Sequence, residues 1–299
     1  MKQNKKLKKI CVYLCLSAAN FFLLFSFSQA QTAVAAKNPA APPQLLKRTA
    51  YKTETIDFGA GGTISIVGAP VGAISVEGWR KNSVEVTAEV EVQAANETDL
   101  ALLAQVNTFV IDEQFGHIRV QSVGTYDKQY MKRVSKKFPK NLLNMPFKID
   151  YHIKVPVFSD LEIDGGRGDF QLSNVEGLIQ IKVLETNARL NLIGGNVVAT
   201  FGGGSVDVTI PTANWRGKAA DVQLAKGNMN VHLAQNLNAE VSAAVLNAGR
   251  IENAFAPLKP REQRVKFTDK SVQAKSGGGG APISFTVGEG SLKINAIGN

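Results

Sequence analysis

The pentapeptide GSVDV, residues 204–208, opens on a small residue and then alternates apolar and polar side chains, and it has copies. GDFQL (168–172), ARLNL (188–192) and GNMNV (227–231) repeat its form, GRIEN (249–253) is a decayed version, and GSLKI (290–294) closes the set. Alternation of this kind buries one face of a strand and leaves the other in water. Successive starts lie 20, 16, 23 and 22 residues apart and then 41, a gap with room for two more units. A second strand type sits between the copies, as GLIQIKV (177–183), GNVVATF (195–201), GKAADVQL (217–224) and AEVSAAV (239–245). Two strand types alternating at a period of about 20 residues predict an all-β fold. The expected form is a β-solenoid, a β-helix-like stack of short rungs that bury their inner faces against one another. A β-sandwich gives a similar strand spacing and is the alternative. Recurrence of one motif in one order, without Asn-Gly hairpin signals, favours the solenoid.

Working outward, period-two segments continue upstream in GTISIVG (62–68), GAISVEG (72–78) and NSVEVTAEVEV (82–92). Glu97 to about Asn107 departs from them. Leu100, Leu103 and Val106 share one helical face there, with Asn96 or Thr98 as the cap. Strand-like TFVID and HIRVQSV follow. The expected organisation is a β-rich part with one helix at 49–123, a basic insert at 124–150, and a repetitive solenoid part at 151–299 continuous with the first.

The N-terminus reads as an export signal. Lys2, Lys5, Lys6, Lys8 and Lys9 precede an apolar run from Ile10 to Phe27, and small residues follow at Ser28 and Ala30. Residues 1–30 are therefore the expected signal peptide, with Ala35 as a second cleavage point and a retained anchor as the alternative. No later stretch is long and apolar enough to span a bilayer. Residues 31–48, rich in Ala and Pro, read as a disordered or extended tether. Cys11 and Cys15 leave with the signal, so the exported chain has no disulfide and its core alone must hold it.

The signal's five lysines account for part of the formal charge of +9, leaving +4. Gly124 to Lys154 alone carries eight basic residues against Asp127 and Asp150, so the remainder is slightly acidic. Lys128, Lys132, Arg133, Lys136, Lys137 and Lys140, interleaved with Tyr130, Met131, Val134 and Phe138, form the candidate contact with an anionic surface. The competing reading is a solvated insertion whose apolar side chains pack on a neighbouring sheet. Charge confined to one segment of an exported chain argues against a nucleic-acid partner.

From Tyr51 to Asn299 the chain resembles the exported bacterial "putative adhesin" family of the toastrack type, a domain family of largely undefined function. The residues carrying the resemblance are GAISVEGWRKNSVEVTAEVEV, IDYHIKVPVFSDLEIDGGRGDFQLSNVEG with its Tyr-x-Ile-x-Val-Pro (151–156), the glycine-started rungs, and GGGGAPISFTVGEGSLKINAIG. The resemblance implies an all-β, solenoid-like fold on the cell envelope or outside it. It brings no catalytic residues, and the basic insert is longer and more charged than the family leads one to expect.

Chemistry is sparse. Enzymes on β-solenoids use paired carboxylates on an outward sheet. The outward rung positions here, from Asp169 to Lys293, are mixed polar, and Asp207 and Glu252 stand more than one rung apart, roughly 10 Å at the usual strand spacing. His117, His152 and His232 are isolated strand residues rather than metal ligands. GGRGDF and GGGSVDV lack the aspartate spacing of calcium β-rolls. Arg167-Gly168-Asp169 spells an integrin tripeptide, but it falls at a strand start with Phe170 and Leu172 facing inward, so an integrin partner is not expected. The expectation is a non-enzymatic, adhesin-like protein without cofactor or metal, periplasmic, cell-surface or extracellular, that contacts an envelope polymer or envelope protein. A polysaccharide-acting enzyme or an envelope-signalling or scaffold partner is the alternative.

Overall fold

The computed structural model describes residues 45–134, 137–262 and 266–298, so the expected signal and nearly all of the tether lie outside it. The chain is all-β with two short helices. Strands β1 (Leu46–Asp57), β2 (Thr63–Val67), β3 (Ile74–Trp79) and β4 (Ser83–Ala94) lead to helix α1 (Glu97–Val106). Then come β5 (Thr108–Gln114), β6 (His117–Val123), α2 (Lys128–Val134), a 3-10 turn at Lys140–Leu142, β7 (Phe147–Pro156), β8 (Asp160–Arg167) and β9 (Phe170–Ser173). Four long strands follow with shorter ones among them: β10 (Leu178–Asn191), β11 (Gly194–Ile210), β12 (Arg216–Leu233), β13 (Ala239–Val245), β14 (Gly249–Asn253), β15 (Lys259–Pro260), β16 (Ser271–Ser276) and β17 (Pro282–Ala296). The tether expectation is corrected at its end, because Leu46–Arg48 already pair with β4.

The two strand types read from the sequence are two halves of one bent strand. β10 pairs with β11, β11 with β12, and β12 with β17, all in parallel and along both halves. β8 and β9 pair with the two halves of β10 in the same way, and β13 and β14 with those of β17. Alternate residues of each half are buried, among them Ile179, Ile181, Val206, Val208, Phe285 and Ile294. The buried faces of the two ladders meet: the Phe170 and Phe201 rings lie 6.2 Å apart, and Tyr151 exchanges a 2.7 Å hydrogen bond with Ser122.

Strand order departs from chain order twice. β17 lies between β12 and the β13–β14 pair, and β2 and β3 lie between β6–β7 and β8–β9. The 41-residue gap after Gly249 therefore holds no two further rungs. It holds β15 and β16, antiparallel to each other, with β16 antiparallel to β13 as well.

The corner between the two halves explains the small residue that starts each motif. Gly168, Gly204, Gly227, Gly249 and Gly290 all have φ between +113° and +147°, which a side chain resists. They also stack: a Cβ on Gly290 would strike the carbonyl oxygen of Gly227, and one on Gly227 that of Gly204. The equivalence with Ala188 is corrected. Ala188 pairs with Phe170 and Val206, two positions beyond the corner, and Thr186 is the residue opposite Gly204. The uneven 20 and 16 thus become even steps, with Asn187 donating to Asp169 across an 18-residue separation.

Candidate functional site

The basic insert is a folded cap on the β6–β7 end. Asp127 starts α2 by accepting from the backbone N–H of Gln129 and Tyr130, both at 2.9 Å. Helical winding then turns Met131 inward, and Leu142 is buried after the 3-10 turn. Phe138 and Met145 lean on the same core. Tyr126 donates to the Ser122 carbonyl at 2.6 Å and stacks on Phe147 with centroids 5.7 Å apart. Burial pushes its hydroxyl pKa up to about 12, so it remains a donor at any physiological pH.

Two of the eight basic residues are neutralised within β7. Lys148 pairs with Asp150 at 2.6 Å, which raises its pKa, and Lys154 pairs with Glu85 at 2.8 Å. Lys128, Lys132, Arg133, Lys137 and Lys140 are exposed and make no ion pair among the described residues; Lys136 lies outside them. Lys132 and Arg133 fall in the last turn of α2, where the helix dipole favours cations. The same segment leaves Val134 at 50% exposure, with Tyr126 and Leu143 also open to solvent. Some apolar side chains of the insert thus anchor the cap, while the five described cations and three apolar groups face outward. The exposure of Val134 was not legible, because its spacing of three from Met131 puts both on one helix face; Val134 is the last residue of α2.

Several polar groups on the outward faces of the ladders bond to one another across strands. Asp207 accepts from Asn230 at 2.8 Å and stands opposite Arg189. Glu252 is held by Arg250 at 2.7 Å and Lys293 at 3.3 Å, and the Arg250 guanidinium keeps its carboxyl below the usual range. The expected separation of these two acids is corrected. Asn230 and Lys293 intervene in the register, so they stand three strands apart, about 14 Å. In the integrin-like tripeptide, Arg167 pairs with Glu185 at 3.3 Å and Asp169 accepts from Asn187, both across to the next strand. No cluster of His, Cys, Asp and Glu suited to a metal occurs among the described residues. No described helix is long and apolar enough to cross a membrane.

No family model matches the chain, and no curated protein does. Among solved structures it is similar to a "putative cell adhesion protein" from Clostridium sporogenes, at 12% identity and a TM-score of 0.45, covering 83% of this chain and all of the other. It is similar to a "putative adhesin" from Bacteroides fragilis at 11% identity and TM-score 0.27, covering 83% of this chain and 97% of that one. A "putative adhesin" from Parabacteroides merdae, at 12% and 0.27, is covered over 95% of its length by 82% of this chain.

Proposed function

We propose that the chain is an exported, non-enzymatic surface-interaction protein of adhesin-like kind, a β-solenoid whose basic cap docks on anionic envelope polymers. The observation that carries this is the cap itself: five exposed cations without an ion pair among the described residues, on a scaffold anchored by Met131 and Leu142. Near an anionic surface each contributes about 1 kcal/mol. The parallel, in-register pairing of β10, β11, β12 and β17 supports the solenoid form. Rungs of that form provide a rigid spacer behind the cap.

The test is retention on envelope fractions. Removing residues 126–148 would strip Met131 and Leu142 from the core, so the informative variant reverses charge and keeps the fold: Lys132→Glu, Arg133→Glu, Lys137→Glu and Lys140→Glu together. Loss of retention with an unchanged melting temperature is expected. Unchanged retention refutes the cap as the contact, and retention through one co-purifying membrane protein points to the scaffold role instead.

A further inference from the structure

β1 is the long open edge of the structure. It pairs along its whole length with β4, and among the described residues β4 is its one strand partner. All but one of its residues are exposed, Tyr51 at 71%. The other edges among the described residues are shorter: β5 pairs with β6 alone over seven residues, β14 with β17 alone over five, and β15 is only Lys259–Pro260. An unpaired edge of this length is a template for another strand.

We propose that the occupant is the β1 strand of a second copy, paired antiparallel about a two-fold axis at Tyr51. In an antiparallel ladder, residues whose N–H and C=O point across must oppose residues of the same kind. β1 already turns alternate residues toward β4, so the set left for the outer edge is of one parity, odd or even. Self-pairing brings that set against itself, and the numbers of opposed residues must then sum to an even value. Only two such registers use nearly the whole strand. A sum of 104 opposes Lys52 to Lys52 at the axis, a like-charge contact that destabilises.

A sum of 102 has no such conflict. It opposes Arg48 to Glu54 twice, Leu46 to Ile56 twice, Thr49 to Thr53 twice, and Tyr51 to Tyr51. Ion, aliphatic, threonine and aromatic pairs of this kind are the cross-strand pairs that stabilise sheets. Of the two next shorter registers, the sum of 100 opposes Arg48 to Lys52, and the sum of 106 leaves Leu46, Lys47 and Arg48 outside the ladder. Lysines on an edge strand ordinarily deter pairing. Here Lys47 and Lys52 meet Thr55 and Ala50, so the deterrent acts on the registers at 104 and 100 and spares this one. The pairing is isologous, as a closed dimer requires.

The experiment is sedimentation of the chain as purified from its own cells, with charge-reversed variants. A dimer is expected for the wild type, with association weakened about tenfold in Arg48→Glu and in Glu54→Arg, since each replaces two attractive pairs by two repulsive ones. A one-to-one mixture of the two variants should recover the dimer, because every opposed pair in the mixed species is again of opposite sign. A monomeric wild type, undiminished dimer in either variant, or a mixture no better than its components overturns the proposal. Register is tested separately in chains with Cys11 and Cys15 changed to Ser. Tyr51→Cys should oxidise to a linked dimer, since residues at the axis oppose themselves, while Lys47→Cys should not. Equal linkage of the two, or linkage of neither, is the contrary result.

Discussion

Thr186 is the irregular member of the corner column. It stands where neighbouring rungs carry glycine, it is 4% exposed, and its Oγ1 has no hydrogen-bond partner among the described residues. An unsatisfied buried hydroxyl costs about 1–3 kcal/mol. Thr186→Val keeps the shape and removes the hydroxyl, so it should raise stability by about 1 kcal/mol. The check is a denaturation midpoint that rises at constant slope; a fall would mean the hydroxyl is satisfied after all. This residue also shows what the sequence hid. Glycine at 168, 204, 227 and 290 announces the corner, because only glycine fits a positive φ against a neighbouring backbone. Ala188 imitates it by being small and by heading an alternating run, and nothing in the linear pattern reveals a two-residue offset. The integrin-like tripeptide was readable for the same reason that the corner was, since Gly168 belongs to that column.

Among the elements, β4 is the hinge of electrostatic support. Glu91, 8% exposed at its side chain, pairs with Lys47 of β1 and lies 3.8 Å from Lys148 of β7, while Glu85 bonds Lys154 of β7. The Lys154 ammonium holds Glu85 below its ordinary pKa, and the Lys47 ammonium does the same for Glu91. A carboxylate with a depressed folded pKa adds stability above its ordinary value of 4.5, and that stability is lost as pH falls through the folded pKa. Amide protection in β1, β4 and β7 should therefore decline below about pH 4.5, ahead of β10, β11 and β12. Glu91→Gln should flatten that decline; an unaltered pH profile in hydrogen exchange would show the pairing to be inert. Of the helices, α1 was legible, since Leu100, Leu103 and Val106 share a face and Asn96 accepts from the Asp99 N–H at 2.9 Å. α2 was not, because seven residues with three cations show no helical period.

For the whole molecule, the all-β class and the repeated strand motif were readable, but the order of the strands was not. Pairing follows side-chain fit between neighbours, so β17 can insert beside β12 although β13 and β14 come first in the chain. The charge run was readable, and so was the choice of Lys128 to Lys140 within it; the ion pairs of Lys148 and Lys154 needed the β7 register. Polar groups on the ladder faces bond to one another in part, and the cap gathers five exposed cations without an ion pair among the described residues. The most direct measurement is binding of the wild-type chain to an acidic glycopolymer and to its neutral counterpart across a salt series, beside the variant with Lys132, Arg133, Lys137 and Lys140 reversed. Binding to the acidic polymer alone, weakening as the screening length shrinks and lost in the variant, is the predicted result. Binding that ignores salt, or survives the four reversals, would contradict the account.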